Sequence, residues 1–149
     1  MLLRWIFAAI HLLALGIGLG AIWARGRALN GLPDRKSLRR AFYADTLWGV
    51  AALLWITTGL YRAFGGLEKG SAYYLANNAF WLKMALLGLV LLLEVWPMVT
   101  LIRWRIRLAR GVEIDTRNAG RFALISRVQA VLVVLMIFAA TAMARAIGA

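Results

Sequence analysis

Residues 80–100 form an apolar run long enough to cross a lipid bilayer as one helix, yet they include two ionisable side chains, Lys83 and Glu94. The eleven-residue step between these two returns to nearly the same helix face, roughly 16 Å further along the axis. A charge facing hydrocarbon is costly, so such groups turn toward a bundle interior or toward water and find partners there. The run therefore needs other helices to cover its polar stripe. Further apolar stretches at about 5–24, 43–60 and 128–146 can supply them, the second interrupted by Asp45, Thr46, Thr57 and Thr58. Hydrophobic residues make up 63% of the 149, too many for a water-soluble domain. The sequence predicts one all-α domain over residues 1–149, an integral membrane four-helix bundle.

The formal net charge of +12 suggests a nucleic-acid partner until its distribution is read. Arg25, Arg27, Arg35, Lys36, Arg39 and Arg40 lie between the first two stretches. Arg103, Arg105, Arg107, Arg110, Arg117, Arg121 and Arg127 lie between the last two, whereas the middle connection holds only Arg62 and Lys69 beside Glu68. The positive-inside rule places the two basic loops in the cytoplasm and both termini outside. A bilayer with anionic headgroups is the partner this charge serves, and no nucleic acid is implied. Without cysteine there is neither a disulfide nor a thiolate metal site. Arginines rather than a small-residue cleavage site follow the first stretch, so it is expected to remain as a helix and not to be removed as a signal peptide.

Local signals punctuate the chain. Gly16 and Gly20 have the spacing that lets a neighbouring helix approach, and Gly18, seven residues past His11, leaves room on the histidine's face. Residues 30–33, Asn-Gly-Leu-Pro, break the chain, and Asp34 is placed to cap the next helix. Gly65 and Gly66 end the second helix, and the connection at 67–78 is expected to lie as a short lid, with Tyr73, Tyr74 and Trp81 in an interfacial aromatic belt. Pro97 removes an amide hydrogen and predicts a kink in the third helix, which runs on to a C-cap at Gly111. Asp115 or Thr116 is expected to cap the fourth helix, which carries Gln129.

The polar groups sort by depth. At 1.5 Å per residue, His11 lies roughly 9 Å into the first stretch and Lys83 roughly 5 Å into the third, both counted from the outer side. An outer cluster would hold His11, Lys83, Arg62 and Arg145, and an inner one Asp45, Glu94, Arg127 and Gln129. Each has a structural reading. His11 can donate to a carbonyl, Lys83 can snorkel outward, Arg62 and Arg145 can anchor at the interface, and Glu94 can pair with Arg127. A lone histidine does not make a zinc site. Imidazole is, however, an axial ligand for haem iron, and bundle cores accept planar cofactors between helices. His11 would then bind iron, with Lys83 as second metal ligand through a neutral amine, or with Lys83 or Arg62 neutralising a propionate. Glu94 would act catalytically by moving a proton, and without a Cys-x-x-Cys-His sequence the haem b would be held non-covalently.

The residues Trp48-Gly49, Thr58-Gly59-Leu60, the run from Arg62 to Gly70 and Trp81-Leu82-Lys83 resemble a family of small bacterial inner-membrane proteins of unknown function, along almost the whole chain. A remoter resemblance is to the haem-dependent protoporphyrinogen oxidases of bacteria and to the membrane part of copper-resistance D-type proteins. In those oxidases a histidine follows a small apolar pair in the first helix, as His11 follows Ala9-Ile10. A Thr-Gly-Leu ends an early helix and a lysine follows a Trp-Leu, as Thr58-Gly59-Leu60 and Lys83 do here. The resemblance implies that His11 and Lys83 are the haem ligands. A further histidine common in the oxidases is replaced by the sequence around Glu94 and Trp96.

Together these features imply a multi-pass protein of the bacterial inner membrane with periplasmic termini. It would bind haem b or a porphyrin, or a quinone-like small molecule, for oxidation or electron transfer, and homo-oligomers are compatible with it. The competing class is a cofactor-free conduit or interaction module, in which Lys83, Glu94 and Asp45 line a wet path. A reporter active only in the periplasm, fused after Ala149, should give signal, and one active only in the cytoplasm should not. The opposite pattern would invert the orientation.

Overall fold

The computed structural model describes residues 2–66 and 70–145, and these form helices α1 (Leu2–Leu29), α2 (Arg35–Phe64), α3 (Ser71–Ala76), α4 (Asn78–Ala109) and α5 (Ala119–Ala144). Leu67, Glu68 and Lys69 of the middle connection, the end of the last stretch at Ala146 and the fusion point Ala149 lie outside the described residues. The all-α bundle expected from the sequence is the observed architecture, and α1, α2, α4 and α5 are each long and apolar enough to cross a membrane. They exceed the apolar stretches. With 32 residues, α4 is roughly 48 Å long at 1.5 Å per residue, against a hydrocarbon core of about 30 Å. Its arginine-rich end therefore projects beyond the apolar layer.

The packing order around the bundle is α2, α1, α5, α4, with α1 against α2 and α5, and α5 against α4. On α1 the buried residues include His11, Ala14, Gly18, Ala21, Ile22, Arg25 and Leu29, steps of three and four that define one stripe. Large apolar side chains such as Leu53, Leu92 and Phe138 are more than 60% exposed, the outward pattern of a lipid-facing surface.

The helices approach where the buried stripe carries glycine. A methyl group added at Gly18 would lie 3.3 Å from the Trp48 ring, and one at Gly26 would lie 3.2 Å from Ser126 Cβ. Gly16 and Gly20 have no neighbours within 4 Å, so the close approach expected at this pair does not occur. They fall on the side of α1 opposite His11, Gly18 and Arg25, which sets the face turned to the bundle. The room that Gly18 leaves is taken by Trp48.

The connections follow local chemistry. Asp34 caps α2 by accepting from the Ser37 N–H at 2.8 Å. This bond holds the Asp34 carboxyl below its usual range, so its contribution is present at neutral pH and disappears as acid protonates it. Gly66 and Gly111 take positive φ just beyond the ends of α2 and α4. Helix α5 begins later than expected, after Asn118 and not at Asp115 or Thr116, because the Asp115 carboxylate is engaged by Arg117 instead, at 2.7 Å to Nη2. Of the three belt candidates, Tyr74 is buried, while Tyr73 donates its hydroxyl to the Met143 carbonyl at 3.0 Å and ties α3 to α5.

One side chain links all four long helices. Arg25 of α1 is fully buried, and each of its five N–H groups has an acceptor. Nε donates to Ser126 Oγ of α5, Nη1 to Asp45 of α2 and Glu94 of α4, and Nη2 to Glu94 and Gln129 of α5, at 2.6–3.0 Å. Arg105 of α4 takes the other oxygen of Asp45 at 2.9 Å and donates to the Phe42 carbonyl at 2.8 Å. Two guanidinium cations thus balance two carboxylates.

Removing the central cation would leave Asp45 and Glu94 poorly compensated. Arg25→Met is expected to destabilise the bundle by about 3–5 kcal/mol, read as a lower unfolding temperature in detergent. Adding Glu94→Gln to that variant should recover part of the loss, because one orphaned carboxylate disappears. A double variant less stable than Arg25→Met would contradict this assignment.

Candidate functional site

At the end of the bundle that bears α3 lies a cavity of about 360 Å³, within the range of small-molecule sites, bordered by all five helices. Its polar groups include His11 of α1, Arg62 at the last turn of α2, Lys83 of α4 and Thr141 of α5. Trp55, Phe80, Leu87 and Met136 supply much of the apolar wall, and Tyr73 and Tyr74 of α3 cover the end. No aspartate or glutamate lines it among the described residues.

His11 is held tightly. Its Nδ1 lies 3.0 Å from Thr58 Oγ1, and that hydroxyl also lies 2.6 Å from the Leu54 carbonyl one turn back. The single hydroxyl proton goes to the carbonyl, as threonines inside helices commonly arrange. The hydroxyl oxygen then accepts from Nδ1–H, which assigns the proton to Nδ1 and leaves the lone pair on Nε2. Gly59 is the floor beneath the ring, since a methyl there would sit 2.9 Å from His11 Cε1. The Trp55 ring lies alongside, with centroids 6.2 Å apart. Lys83 is half-buried on the facing helix, and its ammonium has no hydrogen-bond or ion-pair partner among the described residues.

The outer group expected from the sequence is therefore mostly assembled. His11, Lys83 and Arg62 border one cavity, whereas Arg145 is exposed at the end of α5 and does not. In the inner group Asp45, Glu94 and Gln129 do converge, but the cation among them is Arg25; Arg127, the expected partner of Glu94, is exposed. The reason is reach along the stripe. Arg25 lies two heptads beyond His11 on the same face of α1, while Arg127 lies on the outward side of α5, between the inward-facing Ser126 and Gln129. Glu94 does not line the cavity. In the sequence Thr58 stands out only as an interruption of the second apolar stretch and, with Gly59, as part of a motif, and the pattern His11–Gly18–Arg25 was the one signal that could have drawn Arg25 out of the loop charges.

An apolar layer that includes Ala14, Trp48, Val90, Val133 and Met136 lies between the cavity and the Arg25 network. The two polar centres are thus separated by packed hydrocarbon. Because His11 is the only histidine, its imidazole nitrogens can be observed without ambiguity by ¹⁵N NMR. The expected spectrum has a protonated Nδ1 and an unprotonated Nε2, and Thr58→Val should abolish that preference. A protonated Nε2 in the unaltered protein would overturn the assignment.

Comparison with known proteins gives a family but no activity. A family described as "Predicted membrane protein (DUF2214)" matches residues 3–148, and the chain belongs to it. No curated protein and no solved structure matches the chain. The resemblance to small membrane proteins of unknown function agrees with that membership, and the remoter one to haem-dependent oxidases gains no support from it.

Proposed function

We propose, from membership of this family of predicted membrane proteins as the premise, that the cavity at the α3 end binds haem b or a porphyrin non-covalently and serves oxidation or electron transfer. The observation that carries this reading is the fixed imidazole: Nδ1 lies 3.0 Å from the Thr58 hydroxyl, which by the argument above leaves Nε2 its lone pair, and the ring borders a cavity of about 360 Å³. Histidine ligands to metals are commonly oriented in this way, because the hydrogen bond at one nitrogen fixes the ring and makes the other more basic. The donor set fits a haem, with one neutral nitrogen, an apolar aromatic wall and cations for acidic substituents. When bound, haem would supply one-electron chemistry, which the chain's own side chains lack.

In this reading His11 would hold the haem through its iron, and Gly59 leaves room for the ring. Lys83 can serve as the second ligand with its amine neutral or as partner to a carboxylate. A second cation beside the cavity, Arg62, favours the carboxylate role for both. Trp55 and Phe80 pack on the apolar body, and α3 excludes water from the end. Glu94 is assigned to the support of Arg25 instead of to proton transfer, because it lies away from the cavity and both its oxygens are engaged. In this reading the protein lies in the bacterial inner membrane with its termini in the periplasm, and the cavity then falls in the outer leaflet. The cofactor-free conduit is disfavoured by the apolar layer between the two polar centres.

Protein purified from membranes supplied with haem should show a Soret band, and His11→Ala should remove it. Lys83→Met should retain the band in weakened or shifted form. Absence of the band after reconstitution with haemin, or an unchanged band in His11→Ala, would rule this function out.

A further inference from the structure

We infer that the same cavity opens to the bilayer between α2 and α4 and takes its ligand from the membrane as an amphiphile with an anionic head, held by Lys83. This rests on the cavity and on Lys83, not on iron ligation by His11. A porphyrin with its carboxylates is one member of the class.

The route follows from the packing. Around the bundle α1 packs on α2 and α5, and α5 on α4, but the backbones of α2 and α4 do not come together in the same way. Toward the basic loops their seam is closed by polar bonds, with Arg105 on Asp45 and the Phe42 carbonyl, and Arg25 between Asp45 and Glu94. Toward α3 the closure is aromatic. Phe64 and Phe80 meet edge to face with centroids 6.2 Å apart, and Phe64 is 50% exposed. Rotamer changes of two such rings are fast and need no backbone movement. The walls on either side, Leu60 of α2 and Met84 of α4 among them, are apolar. A molecule dissolved in the bilayer can pass between them without desolvating a polar surface.

The head group follows from charge. Lys83 has no hydrogen-bond or ion-pair partner among the described residues, and no acidic side chain there lines the cavity. It lies five residues into α4, roughly 8 Å from the helix start, so an anion bound there stays near the level of lipid headgroups. The apolar body then extends toward Trp55, Leu87 and Met136 and stops at the apolar layer above Arg25. A neutral or zwitterionic amphiphile would fill the space without neutralising the ammonium. A carboxylate and a phosphate monoester share the required chemistry, and competition separates them.

The test uses the full chain in detergent with cis-parinaric acid, a fluorescent long-chain carboxylate, as probe. Saturable binding is expected, with palmitate or hexadecyl phosphate displacing it and hexadecanol weaker by at least about tenfold; the stronger of the two anions identifies the head. Lys83→Met should weaken binding about tenfold, Lys83→Arg should restore most of it, and Lys36→Gln, a charge change on the exposed surface, should have no effect. Equal displacement by hexadecanol, or full affinity in Lys83→Met, overturns the anionic-head assignment. For the route, a Phe64→Cys/Phe80→Cys variant of this cysteine-free chain is joined by a short bifunctional thiol reagent with a cleavable disulfide arm. Uptake and release in nanodiscs should slow at least tenfold and recover on reduction, whereas unchanged rates overturn the lateral opening. Probe binding without a Soret band supports this inference while ending the haem reading; a Soret band without probe binding does the reverse.

Discussion

The fold depends on how one buried cation is satisfied. Arg25 has five N–H donors and five acceptors, drawn from the other three long helices. A guanidinium left unpaired in a water-poor interior would cost several kcal/mol, so each helix that contributes an acceptor is held in register by the same group. The bidentate geometry to Glu94 adds direction to that constraint, because a planar fork meets a planar carboxylate in one orientation. Apolar packing in lipid supplies less discrimination, since side chains and lipid tails are alike to one another. The Arg25 network therefore sets rotation and depth for α1, α2, α4 and α5 together.

With one end of the bundle fixed in this way, the other is free to be open. Between them the layer around Trp48, Val90 and Val133 is apolar and buried, and above it the helices enclose a cavity instead of continuing the core. The contrast is chemical as well as geometric. The Arg25 network is neutral within itself, two arginines against two carboxylates, while the cavity is bordered by Lys83 with no acidic side chain in its described wall. A satisfied network holds structure, whereas the Lys83 ammonium borders open space and has no partner among the described residues. This is why Glu94, prominent in the sequence, is held within the Arg25 network, while Lys83 on the same helix borders the cavity.

His11 shows how a framework contact can fix the state of a ring nitrogen. The Thr58 hydroxyl sends its proton to its own helix and offers its oxygen to the neighbour's Nδ1, so a routine helix-to-helix bond determines which ring nitrogen keeps its lone pair. Gly59, next in sequence, provides the space for the ring. The pair Thr58-Gly59 is thus one device, with a bond and a gap at adjacent positions.

The sequence by itself determined the four crossings, the all-α class, the cap at Asp34 and the meeting of His11, Lys83 and Arg62 at one depth. These follow from apolar run length, local hydrogen bonding and the 1.5 Å rise, which act along one helix at a time. It also showed that Lys83 and Glu94 share a face. Only the tertiary structure decided which charges are loop charges and which are core. Arg25 and Arg127 look alike in a charge count, yet one is fully buried and the other exposed, because helix rotation depends on several chains of contacts being satisfied at once. The same holds for glycine: Gly16 and Gly20 have the spacing for a contact, while Gly18, Gly26 and Gly59 make one. Spacing fixes which residues share a face, and the partners across the bundle decide which face turns inward.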